Sequence, residues 1–260
     1  KRILIKLTMQ LCAFLNLIRW KNLLLIFYTQ LVIKYSFFTS FSTETNLTTI
    51  QFILLVLAVL FITAAGYIIN DIFDIEADKI NKPQKLIITK YISIDASKKL
   101  YFYINTIGIS LGILISFNIQ KPSLSFIFIT TALLLYFYSK KLKSLPLIGN
   151  FTVAILITLN IFILVLFDLN DSIFSNNYFV ITTILIVSFF AFCINLIREI
   201  VKDIEDIDGD YSLNMNTLPI LLGRKRTKYI AAILSVFPLI ILVLFVALYS
   251  DEFRVASAYT

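Results

Sequence analysis

Histidine is absent from this chain of 260 residues. That removes serine–histidine and cysteine–histidine nucleophile pairs and every histidine-ligated metal site. Cysteine is nearly as scarce. Cys12 and Cys193 lie in apolar surroundings without CxxC or zinc-type spacing, so they read as small buried hydrophobes. Charge is the third shortage: 15% of residues are Asp, Glu, Lys or Arg, against about 25% in soluble domains. What remains is too apolar for water. With 59% hydrophobic residues and a mean hydropathy of +0.89, a soluble fold of this length has too little interior to hide such a surface, so lipid must cover it. The length suits one membrane domain, residues 1–260, and no second soluble one.

Seven segments are long and apolar enough to span a bilayer: 23–41, 50–69, 100–117, 123–138, 145–167, 178–197 and 229–249. The first carries Lys34, and Pro122 sets the start of the fourth. The expectation is an all-α, polytopic transmembrane helical bundle. Ahead of the spans, basic Lys1–Lys6 and a short run, Leu11–Leu17, are interrupted by Arg19, Trp20, Lys21 and Asn22. That run is too short to span and no small-residue cleavage site follows, so it does not read as a removable signal peptide.

The connections alternate in character. The N-terminus and the segments 70–99, 139–144 and 198–228 hold 20 of the 23 Lys and Arg residues; only Lys34, Lys121 and Arg254 lie elsewhere. The positive-inside rule therefore places the N-terminus and these loops in the cytoplasm. The formal charge of +7 is then explained by topology and by anionic lipid or substrate at one face, and no nucleic-acid partner is implied. The opposite connections, 42–49, 118–122, 168–177 and the tail after 249, are nearly uncharged. Gly108 and Gly112 form a GxxxG in the third span, a pattern that lets helices pack closely.

Chemistry concentrates in two acidic stretches on the basic face. Asp71, Asp74 and Asp78 follow the second span, and Asp203, Asp206 and Asp210 follow the sixth. Both triplets have the spacing i, i+3, i+7, which on a helix falls within an arc of about 60°. Glu76, Glu205 and Asp208 point away from those faces. The same spacing recurs 132 residues later, at an equivalent membrane position. Two such faces turned toward each other would concentrate six carboxylates, which is very costly without neutralisation. Mg²⁺ resolves the problem, because it takes oxygen ligands through carboxylates and substrate phosphates. The expected ligand is therefore a diphosphate bridged to aspartates by metal. Lys79, Lys82, Lys85, Lys140, Lys141, Lys143, Arg198 and Lys202 share that face and include candidates for clamping phosphate oxygens. Lys143 and Tyr138, in Tyr138-Ser-Lys-Lys-Leu-Lys143, are the foremost candidates outside the aspartates.

These residues resemble the UbiA superfamily of intramembrane prenyltransferases. The matching elements are Asn70-Asp71-x-x-Asp74-x-x-x-Asp78, Asp203-x-x-Asp206-x-x-x-Asp210, Tyr138-x-x-x-x-Lys143 and the opening Leu17-Ile-Arg19-Trp-Lys-Asn22. The resemblance covers nearly the whole chain. It implies a helical ring around a lipid-accessible cavity, capped by the aspartate loops. It also implies transfer of an isoprenyl chain from its diphosphate to a lipid or aromatic acceptor, with Mg²⁺ on the six aspartates. Asn22, Asn70, Lys85, Tyr138, Lys143, Arg198 and Lys202 would contact substrate. The segment Asn195–Asp206 looks most like the branch that makes digeranylgeranylglyceryl phosphate, so the expected donor carries geranylgeranyl and the expected acceptor is geranylgeranylglyceryl phosphate. An aromatic or quinone precursor such as 4-hydroxybenzoate is the alternative.

Two departures stand out. Lys85-Leu86 replaces a frequent Arg-Pro, keeping the charge but losing the bidentate fork. Members usually have nine spans, so the seven here read as a short member or as a chain truncated at its C-terminus. The membrane expected is that of a bacterial or archaeal cell. Tyr67, Tyr136 and Tyr138 are candidates to face an allylic cation with their rings. Rival readings fit less well. A CDP-alcohol phosphotransferase needs one compact DG…AR…G…D…D block, which is missing. A cation transporter needs carboxylates near span centres, and an intramembrane aspartyl protease needs a GxGD-type site inside a span.

Overall fold

The computed structural model describes residues 2–41, 43–169 and 178–258. In chain order the helices are α1 (Arg2–Leu17), α2 (Trp20–Ser40), α3 (Thr49–Phe73), α4 (Ile75–Asn81), α5 (Ile94–Asn118), α6 (Ser125–Lys140), α7 (Ile148–Asp168), α8 (Tyr178–Glu205), α9 (Ile207–Ser212), α10 (Leu218–Leu222) and α11 (Arg224–Ala258). Seven of them, α2, α3, α5, α6 with its leading 3-10 turn from Pro122, α7, α8 and α11, are long and apolar enough to cross a membrane. These are the seven expected segments. Six of them extend further into the basic loops, because the polar end turns of a helix contribute nothing to a hydropathy window; α7 instead starts three residues later than expected, at Ile148. α5 begins at Ile94, where the Ser93 hydroxyl accepts from Ala96 N–H, an N-cap that satisfies an otherwise unbonded donor. α3 opens on a capping box, Thr48 with Gln51. The expected polar tail after 249 is instead helix through Ala258, and most of the expected connection 168–177 lies outside the described residues.

α3 is the central helix: 56% of its most apolar stretch is buried, against 17–33% in the other six spans. It packs along α5 and α6, while α8 packs between α7 and α11, and α2 touches both α3 and α7. Close approach is built in at the GxxxG: a Cβ on Gly112 would overlap the Phe128 ring of α6, and one on Gly108 would meet Ile62 of α3. Many large apolar side chains remain exposed, including Leu25, Phe102, Phe126, Ile233 and Leu248. On a bundle of spanning helices this is the face presented to lipid. Cys12 is exposed and Cys193 half-buried, so the expectation of two buried thiols is corrected. Lipid-facing positions accept an apolar cysteine as readily as a core does.

The end of the bundle far from the aspartate triplets is tied by an ion pair. Lys34 sits in a π-helical stretch of α2, Ile33–Phe37, with its ammonium 2.6 Å from Asp168 at the last turn of α7. Lys34 also donates to Leu47 C=O at 3.1 Å, and Asp168 accepts from Leu47 N–H at 2.8 Å. Both side chains are buried. The polar residue that interrupts the first span therefore has a charged partner 134 positions away. We expect Lys34→Met to destabilise the fold by about 3–5 kcal/mol, because it strands a buried carboxylate. Lys34→Met with Asp168→Asn keeps an acceptor for Leu47 and should recover most of the loss. Thermal melts in detergent check this; an unchanged melting temperature for the single variant rejects it.

Candidate active site

Each acidic triplet is folded across a break between a spanning helix and a short helix. α3 stops at Phe73, Asp74 takes φ −89° and ψ 0°, and α4 follows. α8 stops at Glu205, Asp206 takes φ −91° and ψ 7°, and α9 follows. The expected unbroken helical face through each triplet is thus corrected to a bent one, with the middle aspartate at the bend. The bonds Asp78 N–H to Asp74 C=O and Asp210 N–H to Asp206 C=O persist, at 2.8 and 3.1 Å. The i, i+4 register therefore survives and the carboxylates keep a common side. Glu76 and Asp208 point away and are exposed, paired with Lys79 and Arg224.

All six aspartates line one cavity of about 660 Å³ at this end of the bundle. Most have a named partner. Arg19 reaches Asp71 at 3.0 Å. Asn70 donates to Asp74 at 2.6 Å, and Lys143 pairs with the other oxygen of Asp74. Asn150 donates to Asp203 at 2.8 Å, and Lys82 lies 2.6 Å from Asp206. Asp78 and Asp210 carry no ion pair among the described residues. Burial pushes the Asp210 carboxyl up to about 6, with the charges of Asp206 and Asp74 adding to it. Burial, then the charge of Asp74, likewise raises Asp78. The cavity therefore holds more negative charge than its own cations offset.

Local backbone explains how the basic and amide groups arrive. Arg19 joins α1 to α2 in the left-handed region, at φ 52°, a conformation that costs a non-glycine residue about 1 kcal/mol or more. It turns the guanidinium toward Asp71 and over the Tyr67 ring, 4.7 Å from the centroid. Gly149 lets the backbone of Lys143 come close, since a Cβ there would press on Lys143 Cα. That contact sets Lys143 and Asn150 side by side on the cavity wall.

Of the other residues expected at the site, Asn70, Tyr138, Lys143 and Lys202 line the cavity. Asn22 does not: it donates to the Tyr67 hydroxyl at 3.3 Å, behind Arg19. Arg198 is exposed and off the cavity. It sits one helical turn, about 6 Å, before Lys202 on α8, further from the end that carries Asp203. The Lys85 side chain lies outside the described residues, although its backbone closes a 3-10 turn, Pro83–Lys85. Tyr136 packs edge-on against Phe73 instead of lining the cavity. Arg19, Asn16, Asn81 and Asn150 line the cavity without having been singled out as site residues. Only the opening around Arg19 carried a signal for any of them.

The donor set fits a hard divalent cation. It consists of carboxylate oxygens with excess negative charge, together with the buried Asn70 Oδ1, which has no hydrogen-bond partner. Among the described residues no three acidic groups are drawn together at one point. Mg²⁺ commonly takes one or two carboxylates and completes its shell with water and phosphate oxygens.

Fold and site together define a polytopic helical membrane protein with a cation-seeking acidic cavity at one end. The chain belongs to the UbiA prenyltransferase family, which it matches over residues 23–259. It is 42% identical over 180 residues to the digeranylgeranylglyceryl phosphate synthase of Saccharolobus solfataricus, covering 69% of this chain and 60% of that protein. Against the enzyme of the same name from Methanobrevibacter smithii the figures are 39% over 182 residues, 70% and 62%. The chain thus spans less than two thirds of the length of these relatives. Among solved structures, one described by its work on digeranylgeranylglyceryl phosphate synthase in membranes superposes with a TM-score of 0.63 at 30% identity, covering 89% of this chain and 76% of that one. A UbiA homolog from Archaeoglobus fulgidus bound to DMAPP and Mg²⁺ shares the fold at 15% identity, with a TM-score of 0.64 over 95% of this chain and 84% of that one.

The cavity should bind inorganic pyrophosphate with Mg²⁺. Lys143→Ala, which removes one charged donor, should weaken that binding about tenfold, the worth of one charge-assisted hydrogen bond. Calorimetry on purified protein measures it, and equal affinity for both proteins rules out this role for Lys143.

Proposed function

We propose that this protein transfers a geranylgeranyl group from its diphosphate to geranylgeranylglyceryl phosphate. The allylic C–O bond to diphosphate breaks, an ether bond forms to the acceptor hydroxyl, and diphosphate and a proton are released. The observation that carries the reading is the convergence of both acidic triplets on one cavity at the end of an apolar bundle. The name of the relatives gives a product, digeranylgeranylglyceryl phosphate, and a geranylgeranyl donor with a geranylgeranylglyceryl phosphate acceptor is the pair that would make it.

Asp71, Asp74, Asp78, Asp203, Asp206 and Asp210 would hold Mg²⁺, which when bound supplies Lewis-acid charge to the departing diphosphate. The remaining work falls to the chain's own groups. Lys143, Lys202 and Arg19 present donors to phosphate oxygens and stabilise the charge that develops on them. Tyr138 lies on the same wall, with its ring available to an allylic carbon that is becoming positive. The spanning helices keep the prenyl tail in an apolar setting and exclude water from the reacting carbon. We place the acidic end in the cytoplasm, because the N-terminus and the loops at that end carry 20 of the 23 Lys and Arg residues, and the membrane in an archaeal cell, as the sources of the relatives suggest.

The test is incubation of membranes with geranylgeranyl diphosphate, Mg²⁺ and either geranylgeranylglyceryl phosphate or 4-hydroxybenzoate, with products identified by mass. The ether-linked glyceryl phosphate product is expected. A prenylated benzoate as sole product would move the assignment to the aromatic branch, and no product with either acceptor would end it. Asp74→Ala and Asp206→Ala should each abolish transfer while leaving helix content intact, and full turnover in either one overturns the site. Chelation with EDTA should stop the reaction and added Mg²⁺ should restore it.

A further inference from the structure

We infer that Asn81 is a positioning residue that clasps the two acidic segments together and keeps the Asp206 carboxylate out of its own helix cap, turned to Lys82 and the cavity. The short helix α9 begins at Ile207. Asp206 is its N-cap residue, and an aspartate there ordinarily turns its own carboxylate back onto an N–H of the first turn. Here it makes no such bond. The Asn81 carboxamide, from the last residue of α4, takes its place. Asn81 Oδ1 accepts from Gly209 N–H at 2.8 Å, three residues after the cap, and Asn81 Nδ2 donates to Asp206 C=O at 3.0 Å. One side chain from the first acidic segment thus satisfies a donor and an acceptor of the second, across 125–128 positions of sequence.

Gly209 is the matching half of the clasp. A Cβ there would overlap the Asn81 carboxamide, so the close approach requires glycine. Lys82, the next residue, pairs with the Asp206 side chain that the clasp leaves uncapped. Asn81 therefore does for Asp206 what a self-capping aspartate could not. It stabilises the helix end while the carboxylate stays turned toward Lys82 and the cavity. It also holds α4 against α9, which fixes the spacing between the two triplets.

The experiment has two arms. In the first, spin labels are placed at the exposed positions Glu76→Cys and Asp208→Cys in a background of Cys12→Ser and Cys193→Ser, and their separation is measured without metal or substrate. The parent should give one narrow distance. Asn81→Ala and Gly209→Ala should each broaden or lengthen it, and the double variant should add little to either single one, since both remove the same contact. The second arm rests on the proposed transfer reaction. Both variants should raise KM for geranylgeranyl diphosphate about tenfold or more, with a smaller change in kcat, as expected when binding groups lose their spacing. Asn81→Asp keeps the acceptor for Gly209 and lacks the donor for Asp206, so it should fall between parent and Asn81→Ala in both arms. It also serves if Asn81→Ala does not fold. Unchanged distances in Asn81→Ala, or in Asn81→Asp if the alanine variant is lost, overturn the inference. A parent that consumes no allylic diphosphate would instead defeat the proposed function, while the distance arm would still decide the clasp.

Discussion

Six carboxylates at the mouth of one cavity are the constraint to which the rest of the structure answers. Like charges gathered around one cavity raise the free energy of the fold. The chain offsets that cost with cations and amides drawn from several segments that reach the same end. Arg19 comes from the α1–α2 junction, Lys82 from the turn after α4, Lys143 from the α6–α7 connection, and Asn150 from the first turn of α7. None of these is a neighbour in sequence of the carboxylate it serves. The acidic cavity therefore acts as an organising centre for the bundle as well as a binding site. The residual imbalance, visible in the raised proton affinity of Asp78 and Asp210, is the part left for an external cation.

The spans were legible because seven long apolar stretches separated by basic loops admit few other readings, and the aspartates because two identical spacings are hard to produce by chance. What escaped was whatever depends on partners distant in the chain. Lys34 looked like a blemish in the first span until Asp168 supplied its counter-charge. The bends at Asp74 and Asp206 left no trace in helical arithmetic, since residues on both sides of each favour helix. Arg198 and Lys202 are equal as basic residues near a triplet, yet one helical turn along α8 leaves the first outside the cavity and the second on its wall. Asn81 and Asn150 were invisible for a different reason. An asparagine in a polar loop has no signature until its partner's backbone or carboxylate is placed beside it.

The repeated motif is matched by a repeated backbone event. In both halves a long spanning helix stops at the residue before the middle aspartate, and a short helix carries the third aspartate onto the same cavity. The halves are not equivalent in how they are bound. The first reaches across with Asn81 and Lys82 to hold the second, while among the described residues no bond from α9 is returned to an aspartate of the first. One arm grips and the other is gripped, so an ordered cavity needs both halves of the chain at once.

The ion pair at the opposite end bears on how the protein comes to be assembled. Lys34 emerges from the ribosome with the first span, whereas Asp168 belongs to the fifth. Until that later helix is inserted, an ammonium group in α2 has no anion to meet and must stretch toward the headgroups or draw water inward. Arrival of the fifth locks it in place, which couples the order of membrane insertion to closure of the bundle.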